Sequence, residues 1–178
     1  GKVASLTGFG EKSQEKILQG IANLKQFSGR TLYPLAYEVA KEILTELASC
    51  PALIRLELAG SLRRCKETIK DIDIVASSNK PNKLMDYFVE LPQVEQVVNK
   101  GTTKSSVMLS SGVGVDLRVV NDEEFPFALQ HFTGSKEHNV ALRSLAKKNN
   151  LKINEYGLFK GKQEKFIPCK DEAELYAN

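Results

Sequence analysis

Gly60-Ser61, then Asp71-Ile72-Asp73, then a single Asp116 within Gly114-Val115-Asp116-Leu117-Arg118 are the residues whose types and spacing could do chemistry. Asp71 and Asp73 stand two apart in an alternating apolar run, so on a strand both carboxylates leave the same face. Asp116 lies in a second alternating run, between Val115 and Leu117 that turn the other way. Three carboxylates from two neighbouring strands can hold Mg²⁺, which takes oxygen ligands and shares them with substrate phosphates. Two such ions about 4 Å apart can activate an attacking hydroxyl and stabilise the leaving oxygen of an in-line displacement. The Gly60-Ser61 turn can hold a phosphate, and an arginine from Arg63-Arg64 can offset charge that develops on it. If the carboxylates converge, the chemistry is transfer of a nucleotidyl group. A lone Asp-x-Asp is common and could merely solvate a strand face. Aspartate is disfavoured in strands, however, so two in one short strand require a reason.

The elements that must position these groups follow from periodicity. Leu6-Thr7-Gly8-Phe9-Gly10-Glu11-Lys12-Ser13 reads as a tight turn entering a helix with Ile17, Leu18, Ile21 and Leu24 on one stripe. Such a helix start is an anion site, and Lys12-Ser13 favours a phosphate there. After Ser28-Gly29, apolar residues from Ala36 to Leu47 recur at i, i+3, i+4, i+7, predicting a helix over 32–48 stopped by Pro51. Period-two runs predict strands over 53–58, 71–76 and 94–98, with a helix over 82–90 between the last two. Residues 107–109 and 115–120 read as a hairpin about Ser111-Gly112-Val113-Gly114. Phe132-Thr133-Gly134-Ser135 punctuates the next boundary, before a helix running to about Asn149 on which Asn139 and Arg143 lie four apart and could reach one ligand. The remainder, 152–178, reads as short strands and a small acidic helix. The sum is an α+β fold with a mixed sheet.

Bulk properties bound the partners. The 178 residues are 42% hydrophobic, enough for a sizeable core, and no window has the unbroken apolar length of a membrane helix. With no signal-like h-region, a cytoplasmic protein without membrane partners is expected. Cys50, Cys65 and Cys169 are odd in number and scattered, and His131 and His138 are the only histidines, which argues against a zinc site or a disulfide framework and for three reduced thiols. Net charge is only +3, yet residues 131–165 hold eight Lys/Arg against three acids, a local excess suited to a phosphate backbone or simply to a solvated face.

Residues 60–73, Val115-Asp116-Leu117-Arg118 and His131-Phe132-Thr133-Gly134-Ser135 together resemble the signatures of family X DNA polymerases, the polymerase beta family, and Ser135-Lys136-Glu137-His138-Asn139 resembles its bacterial and archaeal branch. The resemblance runs through nearly the whole chain in order. It implies a polymerase beta-like nucleotidyltransferase palm over 30–130, a partial helix-hairpin-helix fingers segment over 1–29 and a small α+β thumb for nucleotide selection over 131–178. By the same resemblance Asp71, Asp73 and Asp116 are the catalytic metal ligands for two Mg²⁺, with Mn²⁺ as a substitute, and Asp116 assists deprotonation of the primer 3′-hydroxyl. Arg30, Gly60, Ser61, Arg64, Lys70, Phe132, Gly134 and Asn139 would meet the incoming nucleotide. Gly8, Gly10, Lys12, Ser13, Arg118, Arg143 and Tyr156 would meet DNA, with Glu155 beside Tyr156 in a further thumb motif. Backbone carbonyls of Ala4, Leu6 and Phe9 would hold a monovalent cation, Na⁺ or K⁺.

The chain departs from the family pattern at Ile69-Lys70, where a Ser-Gly pair is usual, at His131 in place of tyrosine, and at Lys136 in place of an acid found in the animal enzyme. With no room before Gly1 for a lyase-like domain or after Asn178 for a phosphoesterase domain, an excised core is expected, for which lyase and exonuclease activity are not assumed. The implied function is template-directed DNA synthesis in short-gap repair by a monomer, on primer-template or gapped DNA with deoxynucleoside triphosphates. A template-independent or RNA-directed nucleotidyltransferase, or a non-catalytic DNA-binding module, are the alternatives.

Overall fold

The computed structural model describes residues 3–4, 6–27, 29–161 and 163–178, with the backbone alone over 22–27. The chain forms two units, Gly1–Arg30 and Thr31–Asn178. In the first, Gly8 sits at φ +87° in a turn where the Phe9 amide donates to the Leu6 carbonyl, and helix α1 (Glu11–Phe27) follows. The Gly10 carbonyl accepts the amides of both Ser13 and Gln14, which fastens the helix start. Among the described residues this unit holds one helix, so a helix-hairpin-helix pair is not seen there. The side chain of Leu24 lies outside the described residues.

The second unit opens with β1 (Thr31–Leu32) and α2 (Tyr33–Ala48), continues through β2 (Arg55–Leu58), the one-turn α3 (Gly60–Arg63) and β3 (Thr68–Ile69), and reaches β4 (Asp71–Ser77). Pro34 in the first turn of α2 fits because the amide it lacks has no partner there. Helix α4 (Pro81–Val89), β5 (Val94–Lys100), β6 (Lys104–Leu109) and β7 (Gly114–Val120) follow. The central sheet has order β2-β4-β7-β6-β5, with β4 and β7 parallel and the other pairs antiparallel, the mixed sheet expected. Thr31-Leu32 and Thr68-Ile69 form a separate small ladder.

Alternation decides the two faces. Ile72, Ile74 and Ala76 of β4 and Val115, Leu117 and Val119 of β7 are buried against Ala36, Ala40, Ile43 and Leu47 of α2 and Leu84, Met85 and Phe88 of α4. Fully burying each of the larger of these side chains contributes about 1.5–3 kcal/mol. The acidic residues between them necessarily emerge on the opposite face.

That face is not bare. Helix α5 (Phe125–Thr133) packs Phe125, Ala128 and Leu129 against Val75 and Ala59. The sequence pattern leaves residues 125–133 without an element, and the helix is a correction to it. Helix α6 (Lys136–Lys148) starts at Ser135, whose hydroxyl accepts the His138 amide. Strands β8 (Leu151–Asn154), β9 (Gly157–Lys160) and β10 (Lys165–Ile167) form a three-stranded antiparallel sheet, and α7 (Glu172–Ala177) ends the chain. These pack Phe127, Ala146, Ile153, Leu158 and Leu175 into a second core. Residues 131–178 thus share one unit with the central sheet, and α5 belongs to both cores.

Arginine 63 fastens this join. Its guanidinium grips both Glu172 oxygens, at 2.8 and 2.5 Å, and the Thr133 hydroxyl at 2.8 Å. Arg55 makes a second join, donating to Asp122 at 2.7 Å and to the Lys170 carbonyl while lying over the Phe125 ring. Cys50 and Cys169 are buried and Cys65 is exposed, all as free thiols.

Candidate active site

Parallel pairing of β4 with β7 sets Asp73 directly beside Asp116, and Asp71 beside Gly114. All three carboxylates therefore share the face opposite the α2/α4 core, as their spacing predicts. Room for them is made by two glycines. A Cβ on Gly60 would fall 1.9 Å from Asp73 Oδ2, and one on Gly114 would fall 2.7 Å from Asp71 Oδ1. Gly60 also sits at φ +57°, where side chains are strained. The Ala59 amide donates to the Asp73 carbonyl at 2.8 Å, which pins the start of α3 against β4. The Gly-Ser turn is thus the first turn of a short helix.

The carboxylates differ in surroundings. Asp71 is half exposed, with the Lys70 ammonium 3.6 Å away. Asp116 accepts the Ser106 hydroxyl at 2.6 Å on Oδ1 and the Lys104 ammonium at 2.7 Å on Oδ2. At Asp73, burial followed by the charges of Asp116 and Asp71 pushes the carboxyl up to about 6. Lys104 and Arg118 oppose that rise.

A carboxyl whose pKa is higher folded than unfolded binds more protons in the folded state. Its contribution to stability is therefore largest in acid and falls as pH rises from its ordinary value of 3.8 towards about 6. Without metal, ionised Asp73 costs the fold up to about 3 kcal/mol above that window. Asp73→Asn is expected to be more stable than the parent chain at neutral pH and to lose that advantage by about pH 4, measured by urea unfolding in chelator. A difference independent of pH would contradict the assignment.

Three carboxylates on one face, two of them seated in glycine notches and one whose pKa burial and its acidic neighbours raise, have the oxygen chemistry that suits Mg²⁺ or Mn²⁺. As the side chains stand, no three His, Cys, Asp or Glu among the described residues are arranged to hold a metal ion. Asp71 and Asp116 are instead engaged with lysines.

Beside Asp73 an open cleft of about 510 Å³ gathers Gly60, Ser61, Arg64, Phe132, Gly134, Asn139 and Arg143, seven of the residues marked in the sequence. Arg64 donates to the Thr133 carbonyl, its Nη1 would lie 3.2 Å from a Cβ on Gly134, and its buried Nε has no partner among the described residues. Asn139 is oriented by Gln130, which donates to its Oδ1 at 2.8 Å, while its Nδ2 donates to the His131 carbonyl at 2.8 Å. Arg143 approaches His131 Nδ1 at 3.2 Å, and burial lowers the His131 pKa. Arg118 lies 4.3 Å over the Phe132 ring and, with Glu155 and Tyr156, lines an adjoining cavity of about 250 Å³.

Other marked residues fall elsewhere. Lys70 is exposed, facing Asp71. Arg30 belongs to the first unit, as do Gly8, Gly10, Lys12 and Ser13. The Ser13 amide is spent on the Gly10 carbonyl, and of the three carbonyls marked for a monovalent cation, that of Leu6 accepts the Phe9 amide. The Ala4 amide takes the Gln14 side chain. Sequence reasoning missed Lys104, Ser106, Gln130 and the notch at Gly114. The first two alternate on β6 around buried Ser105, a period-two signal that could have placed them.

A mixed sheet carrying these carboxylates, joined through α5 to a small α+β module, has the layout of a polymerase beta-type palm and thumb. The family described as DNA polymerase beta thumb matches residues 128–178. The chain is 39% identical to the DNA polymerase/3′-5′ exonuclease PolX of Bacillus subtilis over 99% of its own length and 31% of that protein. It is 28% identical to a repair DNA polymerase X of African swine fever virus over 76% of its length and 78% of the viral protein. The chain belongs to the family X DNA polymerases. It spans about a third of the Bacillus protein's length. No helix among the described residues is long and apolar enough to cross a membrane.

Proposed function

We propose that this chain is a DNA-directed DNA polymerase that adds deoxynucleotides to a primer 3′-hydroxyl on a template strand, in short-gap repair. The observation that carries the proposal is the strand register that sets Asp73 beside Asp116, with Asp71 two residues away, at the edge of the arginine-bearing cleft. Asp71, Asp73 and Asp116 would hold two Mg²⁺ ions, which when bound supply charge that activates the hydroxyl and stabilises the leaving oxygen. Arg64, with an unpartnered Nε, and Ser61 would receive the triphosphate, and Phe132 and Gly134 would flank the sugar. Asn139, its amide fixed by Gln130, and Arg143 would meet the nascent pair and the template. Asp116, paired with Lys104, would accept the primer proton. Arg118 and Tyr156 would face DNA, while Lys70 beside Asp71 would meet the nucleotide's terminal phosphates. In the first unit Arg30 would add a phosphate contact, and Gly8, Gly10, Lys12 and Ser13 would follow the primer strand.

Extension of a template-paired primer compared with a blunt duplex tests this. Template-dependent incorporation in Mg²⁺ is expected. Equal use of both substrates would favour the template-independent alternative, and DNA binding without incorporation would favour a binding module.

A further inference from the structure

Lys104 meets neither nucleotide nor DNA in the scheme above, yet it makes the shortest ion pair at the carboxylate face. Strand register sets Lys104 directly opposite Arg118, a like-charge pairing that is unfavourable unless each cation has another place to go. Both have one. Arg118 turns over Phe132, and Lys104 reaches diagonally to Asp116 Oδ2 at 2.7 Å. Ser106, two residues on and directly opposite Asp116, takes the other oxygen. The pair is about two-thirds buried, its side chains 33% and 28% exposed, so solvent screens it less than a surface ion pair.

We infer that Lys104 is an internal counter-ion for Asp116 with which a divalent cation must compete, so that it sets how readily the third carboxylate accepts metal. The inference rests on the carboxylate site proposed above. Each Asp116 oxygen already accepts one hydrogen bond, Oδ1 from Ser106 and Oδ2 from Lys104, and the ammonium charge beside Oδ2 opposes a second cation there. Before loading, the Lys104 and Lys70 ammoniums answer two of the three carboxylates, and Asp73 is left without a described side-chain partner. Lys104 is thus a positioning residue: it holds the Asp116 carboxylate on the sheet face, at the expense of metal affinity.

The test is Mn²⁺ binding to the protein without DNA or nucleotide, followed by electron paramagnetic resonance of free Mn²⁺. Lys104→Met is expected to bind Mn²⁺ roughly tenfold more tightly than the parent, the equivalent of about 1.4 kcal/mol. Lys104→Arg keeps the parent affinity, and Asp116→Asn binds more weakly than either. Lys104→Gln repeats the measurement should the methionine variant fold poorly. Unchanged or weaker binding by Lys104→Met and Lys104→Gln, with binding still lost in Asp116→Asn, would overturn the counter-ion role alone. Binding that is indifferent to Asp116→Asn as well would overturn the carboxylate site with it.

Discussion

Asp116→Asn is expected to lower primer extension about a thousandfold or more, the scale of removing a group that stabilises transition-state charge. The substitution keeps the shape of the side chain and can keep the Ser106 hydrogen bond, while it removes the anion that faces Lys104. It also removes one of the charges that raise Asp73, so the fold is expected to hold or gain stability as activity disappears. That opposite movement separates a chemical role from a structural one. DNA binding, proposed above to draw on Arg118 and Arg143, should change little. Extension within a fewfold of the parent would remove Asp116 from the mechanism.

Gly60→Ala is the second large effect, and it strikes fold and function together. Alanine at φ +57° costs about 1–2 kcal/mol in backbone strain. Its Cβ would also lie 1.9 Å from Asp73 Oδ2 and 2.7 Å from Cγ, so either Asp73 or the start of α3 must move. Overpacking of that kind adds about 1–3 kcal/mol. Asp73 is partly buried and is pinned through its own carbonyl to Ala59, so displacement would also spoil the site. Gly114→Ala is the comparison. Its φ is not positive, and its new contact is the far end of half-exposed Asp71, which can turn aside, so a milder loss is expected. Thermal unfolding of the two variants side by side checks this, and equal stabilities would contradict it.

How much of this was readable beforehand varied by element. The aspartate strands, the α2 stripe and the 107–120 hairpin announce themselves by period, because each has one buried and one open face. Helix α5 has no such contrast. Phe125, Pro126, Phe127, Ala128, Leu129 and Gln130 are all buried, between two cores, and a helix covered all round shows no apolar stripe. Spacing alone did not separate Arg63 from Arg64, and only the resemblance singled out Arg64; consecutive residues on a helical turn point about 100° apart, so Arg63 reaches Glu172 while Arg64 lines the cleft. Lys104 and Ser106 became visible only with the register of β6 on β7, which runs through a sheet whose neighbouring β5–β6 pair slips twice. Resemblance to the polymerase beta family supplied what period could not, the grouping of distant Asn139 and Arg143 with the Gly-Ser turn, and the cleft brings these residues together.

The most direct measurement is filling of a one-nucleotide gap in duplex DNA by the parent chain in Mg²⁺, with each of the four templating bases and with deoxy- and ribonucleotides compared. The carboxylate site and cleft predict addition of one nucleotide, the complement of the templating base, abolished by chelator. Absence of product with folded protein, or incorporation indifferent to the templating base, would contradict template-directed nucleotidyl transfer by Asp71, Asp73 and Asp116.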